Sequence, residues 1–108
     1  MGESKLYLIG VYDERFRVRL DDPDRIKLAE EAMATNRVGV IGAALARGDG
    51  GFNAPYSWHM ISSTVEFPDV MKEHCDGLPS YVEQHLDEWL AEHDRFCPWA
   101  ARVIEEIV

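Results

Sequence analysis

No apolar run in this 108-residue chain approaches the length of a membrane span. The longest early run, residues 6–11, is too short for a signal-peptide core and has no basic lead-in. The myristoylation pattern fails as well, because Leu6 stands where Ser or Thr is needed. Positive charge is scarce: eleven Lys and Arg face twenty Asp and Glu, a formal net charge of −9. That argues against a duplex nucleic-acid binder, which needs a basic footprint, and against attraction to anionic membranes. Walker, GxGxxG, HExxH, GxSxG and CxxC motifs are all missing, so no cofactor is expected. The expectation is a soluble chain with no address in its sequence and no membrane or nucleic-acid partner.

What is present is a globular composition. Hydrophobic residues make up 46% of the chain, enough for one core, and residues 1–108 are read as a single domain. Residues 6–11 and 15–20 alternate in polarity around Tyr12, Asp13 and Glu14. A hairpin symmetric about that turn pairs Val11 with Phe16, Ile9 with Val18 and Tyr7 with Leu20. All six then lie on one face, and Arg15, Arg17 and Arg19 lie on the other. Asp22 is a good N-cap, Pro23 fits the first helical position, and Ile26, Ala29 and Met33 recur at helical spacing up to Thr35 and Asn36. Residues 37–47 read as a buried strand, and residues 48–55 as a glycine-rich, mobile loop.

A second hairpin is predicted, with residues 57–61 and 64–67 symmetric about Ser62 and Ser63. It places Trp58 opposite Phe67, Met60 opposite Val65, and His59 opposite Glu66. Residues 70–75 follow as a strand. Ser80 and Glu83 form a capping box for a helix that buries Val82, Leu86, Trp89 and Leu90. Pro98 opens a last helix carrying Ala100, Val103, Ile104, Ile107 and Val108. The predicted fold class is α+β, ββαβββαα: an antiparallel-rich sheet of about five strands with three helices packed on it.

His59 and Glu66 are the acid–base candidates, because a carboxylate beside an imidazole orients the ring and stabilises its cation. Cys75 and Cys97 pair in an oxidising compartment and stay buried thiols in a reducing one. His74, Cys75, Asp76, His93 and Cys97 are zinc-ligand types at poor spacing, and no metal site is expected. Asp21, Asp22 and Asp24 read as a solvated helix start rather than a calcium loop. The row Arg15, Arg17 and Arg19 can receive a carboxylate, a phosphate or an acidic partner. Arg47-Gly48-Asp49 spells an integrin-recognition tripeptide and reads as a turn. Trp58, Trp89 and Trp99 read first as core anchors, with Trp58 and Trp99 retained as candidate ligand contacts.

Several pieces together resemble a known grouping. They are Arg15-Phe16-Arg17-Val18, Asp22-Pro23, Ser57-Trp58-His59, Val65-Glu66-Phe67, Cys75-Asp76-Gly77 with Pro79-Ser80-Tyr81-Val82-Glu83, and Phe96-Cys97-Pro98-Trp99 with Ala101-Arg102-Val103. The chain resembles, over nearly its whole length, the small domain family named for the N-terminal part of a slime-mould BP protein, which also includes stand-alone bacterial proteins. The resemblance implies a grouping rather than an activity. Its members are often secreted, which favours a Cys75–Cys97 disulfide. The chain departs from the pattern at Ile61-Ser62-Ser63, where a turn containing Asp is expected, and at Met71-Lys72-Glu73-His74, where a more apolar strand is expected.

Two functional readings follow. The first is a non-enzymatic binding or interaction domain that presents its sheet face and the 48–55 loop to a protein or small-molecule ligand. The alternative is a small acid–base enzyme or cyclase that uses His59 and Glu66.

Overall fold

The computed structural model describes residues 4–68 and 75–107. Strand β1 (Lys5–Val11) and strand β2 (Glu14–Leu20) form the first hairpin. Tyr7, Ile9, Val11, Phe16, Val18 and Leu20 are all buried, so the alternation is obeyed. The register differs from the symmetric expectation by two residues, since Ile9 faces Phe16 and Tyr7 faces Val18. The turn is Tyr12-Asp13, with Tyr12 in the left-handed region at φ 56°. A shift of two leaves every side chain on its predicted face.

Helix α1 (Pro23–Ala34) starts at Asp22, whose Oδ1 accepts the Asp24 N–H at 2.9 Å. Ile26, Ala29 and Ala32 are its buried positions. Strand β3 is shorter than expected, Ala43–Arg47. The segment before it makes isolated bridges instead of a ladder, Gly39 with Ala101 and Gly42 with Glu66.

The second hairpin does not form. Strand β4 (Trp58–Met60) runs antiparallel to β3, with Met60 opposite Leu45 and Trp58 opposite Arg47. The chain then leaves the ladder in a 3-10 turn, Ser62–Thr64, and returns along the same edge to bridge Gly42 through Glu66. Thr64 Oγ1 accepts the Ala44 N–H at 3.0 Å and fills the gap. Ser62-Ser63 lacks the positive-φ preference of tight hairpin turns, and the free edge of β3 takes up the segment instead. The predicted strand at residues 70–75 lies outside the described residues, apart from Cys75.

The single helix predicted from Ser80 through the Val82, Leu86, Trp89 and Leu90 stripe is two helices, α2 (Pro79–Gln84) and α3 (Leu86–Glu92), separated at His85. Ser80 is not the cap. Pro79 is the first helical residue and Leu78 precedes it, so Ser80 sits inside the first turn. Its N–H and hydroxyl instead donate to the two oxygens of Glu14 on β2, at 2.8 and 2.7 Å. Strand β5 (Arg95–Phe96) pairs with β3.

The predicted last helix is a strand, β6 (Ala101–Ile107), antiparallel to β1. Its Val and Ile content suits a pleated surface. A lone hairpin also needs a third strand to persist. The result is two three-stranded antiparallel sheets, β2-β1-β6 and β4-β3-β5, in place of one five-stranded sheet, with three α-helices among the described residues.

The two sheets share one aromatic core. Phe16 lies 5.5 Å from Trp58 and 5.9 Å from Phe96, and Trp89 lies 6.0 Å from Phe96, between ring centroids. Replacing such a residue with Ala typically costs about 3–5 kcal/mol. Among the described residues, no helix is long and apolar enough to cross a membrane.

Candidate binding face

Side-chain alternation sends Arg15, Arg17 and Arg19 to the face of the first sheet opposite its core, where Arg15 and Arg19 are exposed and Arg17 is half-buried. The register continues that face across three strands. Arg15 lies level with Gly10 and Arg102, Arg17 with Leu8 and Glu105, and Arg19 with Leu6 and Ile107. Gly10 leaves space between its flanking arginines, and the Ile104 side chain occupies it: a Cβ on Gly10 would stand 2.8 Å from Ile104 Cδ1. Among the described residues, none of Arg15, Arg17, Arg19 and Arg102 forms an ion pair, although the chain's net charge is −9.

The 48–55 loop joins this face. Asn53 is fully buried. Its Oδ1 accepts the Arg17 N–H at 2.8 Å, and its Nδ2 donates to the Trp58 carbonyl at 2.9 Å. One side chain thereby covers the free edge of β2 and links it to β4 in the other sheet. The Arg17 guanidinium donates to the Ala54 carbonyl, and the Arg19 guanidinium lies 5.4 Å from the centre of the Phe52 ring. The loop is held further by Asp49, whose carbonyl accepts from Phe52 and Asn53 and whose carboxylate accepts from Gly51. Arg47 pairs with Asp87. The Arg47-Gly48-Asp49 tripeptide is therefore a folded turn with both charged ends engaged.

His59 and Glu66 are not brought together. The His59 Nδ1–H donates to the Gly48 carbonyl at 2.8 Å, and the ring packs edge-on against Phe52 at 5.6 Å. Glu66 pairs with Arg95 at 3.3 Å. His59 lies opposite Ala46 within β3, whereas Glu66 bridges Gly42, which stands outside that strand.

Trp58 is completely buried at the centre of the core, so it has no surface to offer a ligand. Trp99 is 42% exposed, and its N–H donates to Asp76 Oδ1. Asp22 serves the start of α1 and pairs with Arg25. Cys75 and Cys97 form a disulfide with 5.1 Å between Cα atoms, which removes both as thiolate ligands. His74 lies outside the described residues, and no group of three His, Cys, Asp or Glu among the described residues is placed to hold a metal.

Burial holds the Tyr7 phenol neutral, with the Glu30 carboxylate adding to the effect, and pushes its pKa up to about 12. Burial likewise raises Tyr56, with Glu14 and Glu83 contributing. The anchoring role of Asn53 and the position of Arg102 on the arginine face escaped the sequence reading. Strand parity across β6 would have found Arg102, while a single Asn in a glycine-rich loop carries no mark beyond turn propensity.

Residues 6–108 match the sequence profile of the BP-74 N-terminal domain. The chain belongs to that family. No curated protein and no solved structure matches it. In this member of the family the motif pieces of the C-terminal half meet in space. The Cys75-Asp76-Gly77 and Phe96-Cys97-Pro98-Trp99 segments are joined by the disulfide, by the bond of Asp76 to the Trp99 N–H, and by Cys97 N–H donating to the Cys75 carbonyl at 2.7 Å. Gly77 is small because a Cβ there would stand 3.2 Å from Trp89. These pieces therefore build the core rather than the arginine face.

Proposed function

We propose that this chain is a non-enzymatic binding domain that holds an anionic protein segment or small ligand against Arg15, Arg17, Arg19 and Arg102 and the 48–55 loop. The observation that carries the reading is the arginine row itself. Arg15, Arg17 and Arg19 follow one another along an outer sheet face, Arg102 lies level with Arg15 across β1, and among the described residues none of the four forms an ion pair, in an otherwise acidic chain. Arginine's planar fork suits carboxylate and phosphate recognition, and Leu6, Leu8 and Ile104 supply apolar contact beside it. The Cys75–Cys97 disulfide supports work in an oxidising compartment. The acid–base alternative has less support, because His59 leans on a main-chain carbonyl and Glu66 on Arg95.

The test is fluorescence anisotropy with a labelled oligoglutamate peptide at low and high salt. Binding should weaken with salt, disappear in Arg15→Ala/Arg19→Ala, and survive in His59→Ala. No binding by the native chain, or equal binding by the double variant, overturns the proposal.

A further inference from the structure

The arginine face has a period and a direction as well as a charge. Arg15, Arg17 and Arg19 stand at every second residue of β2, so their side chains leave the sheet about 6.6–6.8 Å apart. The 48–55 loop holds two of these guanidinium groups, Arg17 on the Ala54 carbonyl at 3.3 Å and Arg19 over the Phe52 ring at 5.4 Å. Each contact leaves most of the guanidinium donors unused. Side chains that are already ordered lose less freedom when a ligand arrives.

Both edges of this sheet are interrupted against main-chain pairing with a partner strand. On β2 the Arg17 N–H is taken by Asn53 Oδ1 at 2.8 Å. On β6, Ala101 exchanges main-chain bonds with Gly39, and Ile104 is an extra residue between the pairs Leu8–Glu105 and Ile9–Val103. Such a bulge bends an edge away from further pairing. A partner therefore lies over the face and meets side chains rather than adding a strand.

The charge along β2 differs from the charge across the sheet. Arg102 is two strands from Arg15, about 9–10 Å away, with Gly10 between them. Glu105 stands level with Arg17 in the same way and is exposed. A chain crossing the strands from Arg17 meets that carboxylate, whereas one running along β2 meets an arginine at each step. In an extended chain, side chains on one side recur at the same spacing of about 6.6–6.8 Å. A helix repeats its face every 5.4 Å or so, and over two steps it falls about 2.5 Å short of the row.

We infer that the arginine face takes an extended acidic peptide segment running along β2, with Asp or Glu at every second position and one carboxylate for each of Arg15, Arg17 and Arg19. This rests on the binding-face reading above and adds to it the conformation and period of the partner.

Fluorescence anisotropy of the full chain with two labelled, end-blocked peptides tests this. Thr-Asp-Thr-Asp-Thr-Asp-Thr and Thr-Thr-Asp-Asp-Asp-Thr-Thr share composition and charge, but only the first puts three carboxylates on one side of an extended chain. The alternating peptide should bind about fivefold or more tighter. Arg19→Gln should remove most of that preference, and Arg102→Gln should change it less; the reverse order overturns the direction along β2. Phe52→Ala frees Arg19 without changing the charge and should reduce the preference as well, with circular dichroism checking that each variant is folded. A smaller difference between the two peptides, while oligoglutamate still binds, overturns the period and leaves the binding-face reading standing. Absence of binding by all three peptides overturns both. Tighter binding of an oligothymidylate of equal charge would assign the face to a nucleic-acid strand and overturn the inference.

Discussion

Replacing Asn53 with Ala removes two bonds from a place that water does not reach. The Asn53 side chain accepts from the Arg17 N–H and donates to the Trp58 carbonyl, and the residue is fully buried. Each partner left unsatisfied costs about 1–3 kcal/mol, so the expected loss for the two is about 2–6 kcal/mol. That is a large share of the roughly 5–15 kcal/mol that holds a typical domain together. Urea denaturation followed by circular dichroism at neutral pH reads it directly.

Asn53→Asp separates the two bonds. Its carboxylate still accepts from Arg17 but sets an oxygen against the Trp58 carbonyl oxygen. Burial and that carbonyl raise the folded-state pKa of the new carboxyl above its unfolded value, since both disfavour the anion. Protonation restores a donor, so this variant's deficit relative to the native chain should shrink as pH falls toward the unfolded value of about 3.9. A loss below about 1 kcal/mol in Asn53→Ala, or a deficit in Asn53→Asp that grows on acidification, would refute the assigned role.

Tyr7 has a pKa raised to about 12 in the folded chain. Its stabilisation is therefore complete below the unfolded value of about 10 and is lost as pH rises toward 12. The native chain should lose up to about 2–3 kcal/mol more than Tyr7→Phe over that window, as read by denaturation at stepped alkaline pH. The Cys75–Cys97 link spans a sequence separation of 22. Its removal in Cys75→Ser/Cys97→Ser should cost about 3 kcal/mol, and intact mass with and without reductant should differ by two hydrogens. Glu14→Ala strips Ser80 of both its bonds to the β2 carboxylate and should cost about 1–3 kcal/mol. Ser80→Ala should cost less, with a double-mutant cycle showing coupling between the two positions.

The elements legible in the sequence are those whose local signals agree with their tertiary surroundings. The first hairpin combines strict alternation with two apolar faces that must meet. Helix α1 combines an Asp cap, a Pro and a periodic stripe. The hairpin register slipped by two because Tyr12 adopts a left-handed conformation that no glycine or asparagine announces.

The C-terminal strand was illegible for a different reason. Ala101 and Val103 satisfy a period of two, while Ala100, Val103, Ile104 and Ile107 satisfy a helical period equally well. Only the open edge of β1 decides between them. The same holds for residues 58–66, which pair with β3 rather than with each other. Of the candidate face, the arginine row was legible because it depends on parity alone. The Asn53 bonds that tie the 48–55 loop to that row were not, because they depend on where one Asn side chain sits between two sheets.

Placing β1 between β2 and β6 has a consequence for how the molecule is made. Leu6 faces Ile107 across the sheet, so the first sheet closes only when nearly the last of these residues leaves the ribosome. Until then the nascent hairpin carries an unsatisfied ladder of main-chain groups on β1. Closure then joins segments far apart in sequence, the kind of contact that slows folding. The interval before β6 arrives is the period in which the β1 edge is most exposed to pairing with a neighbouring chain.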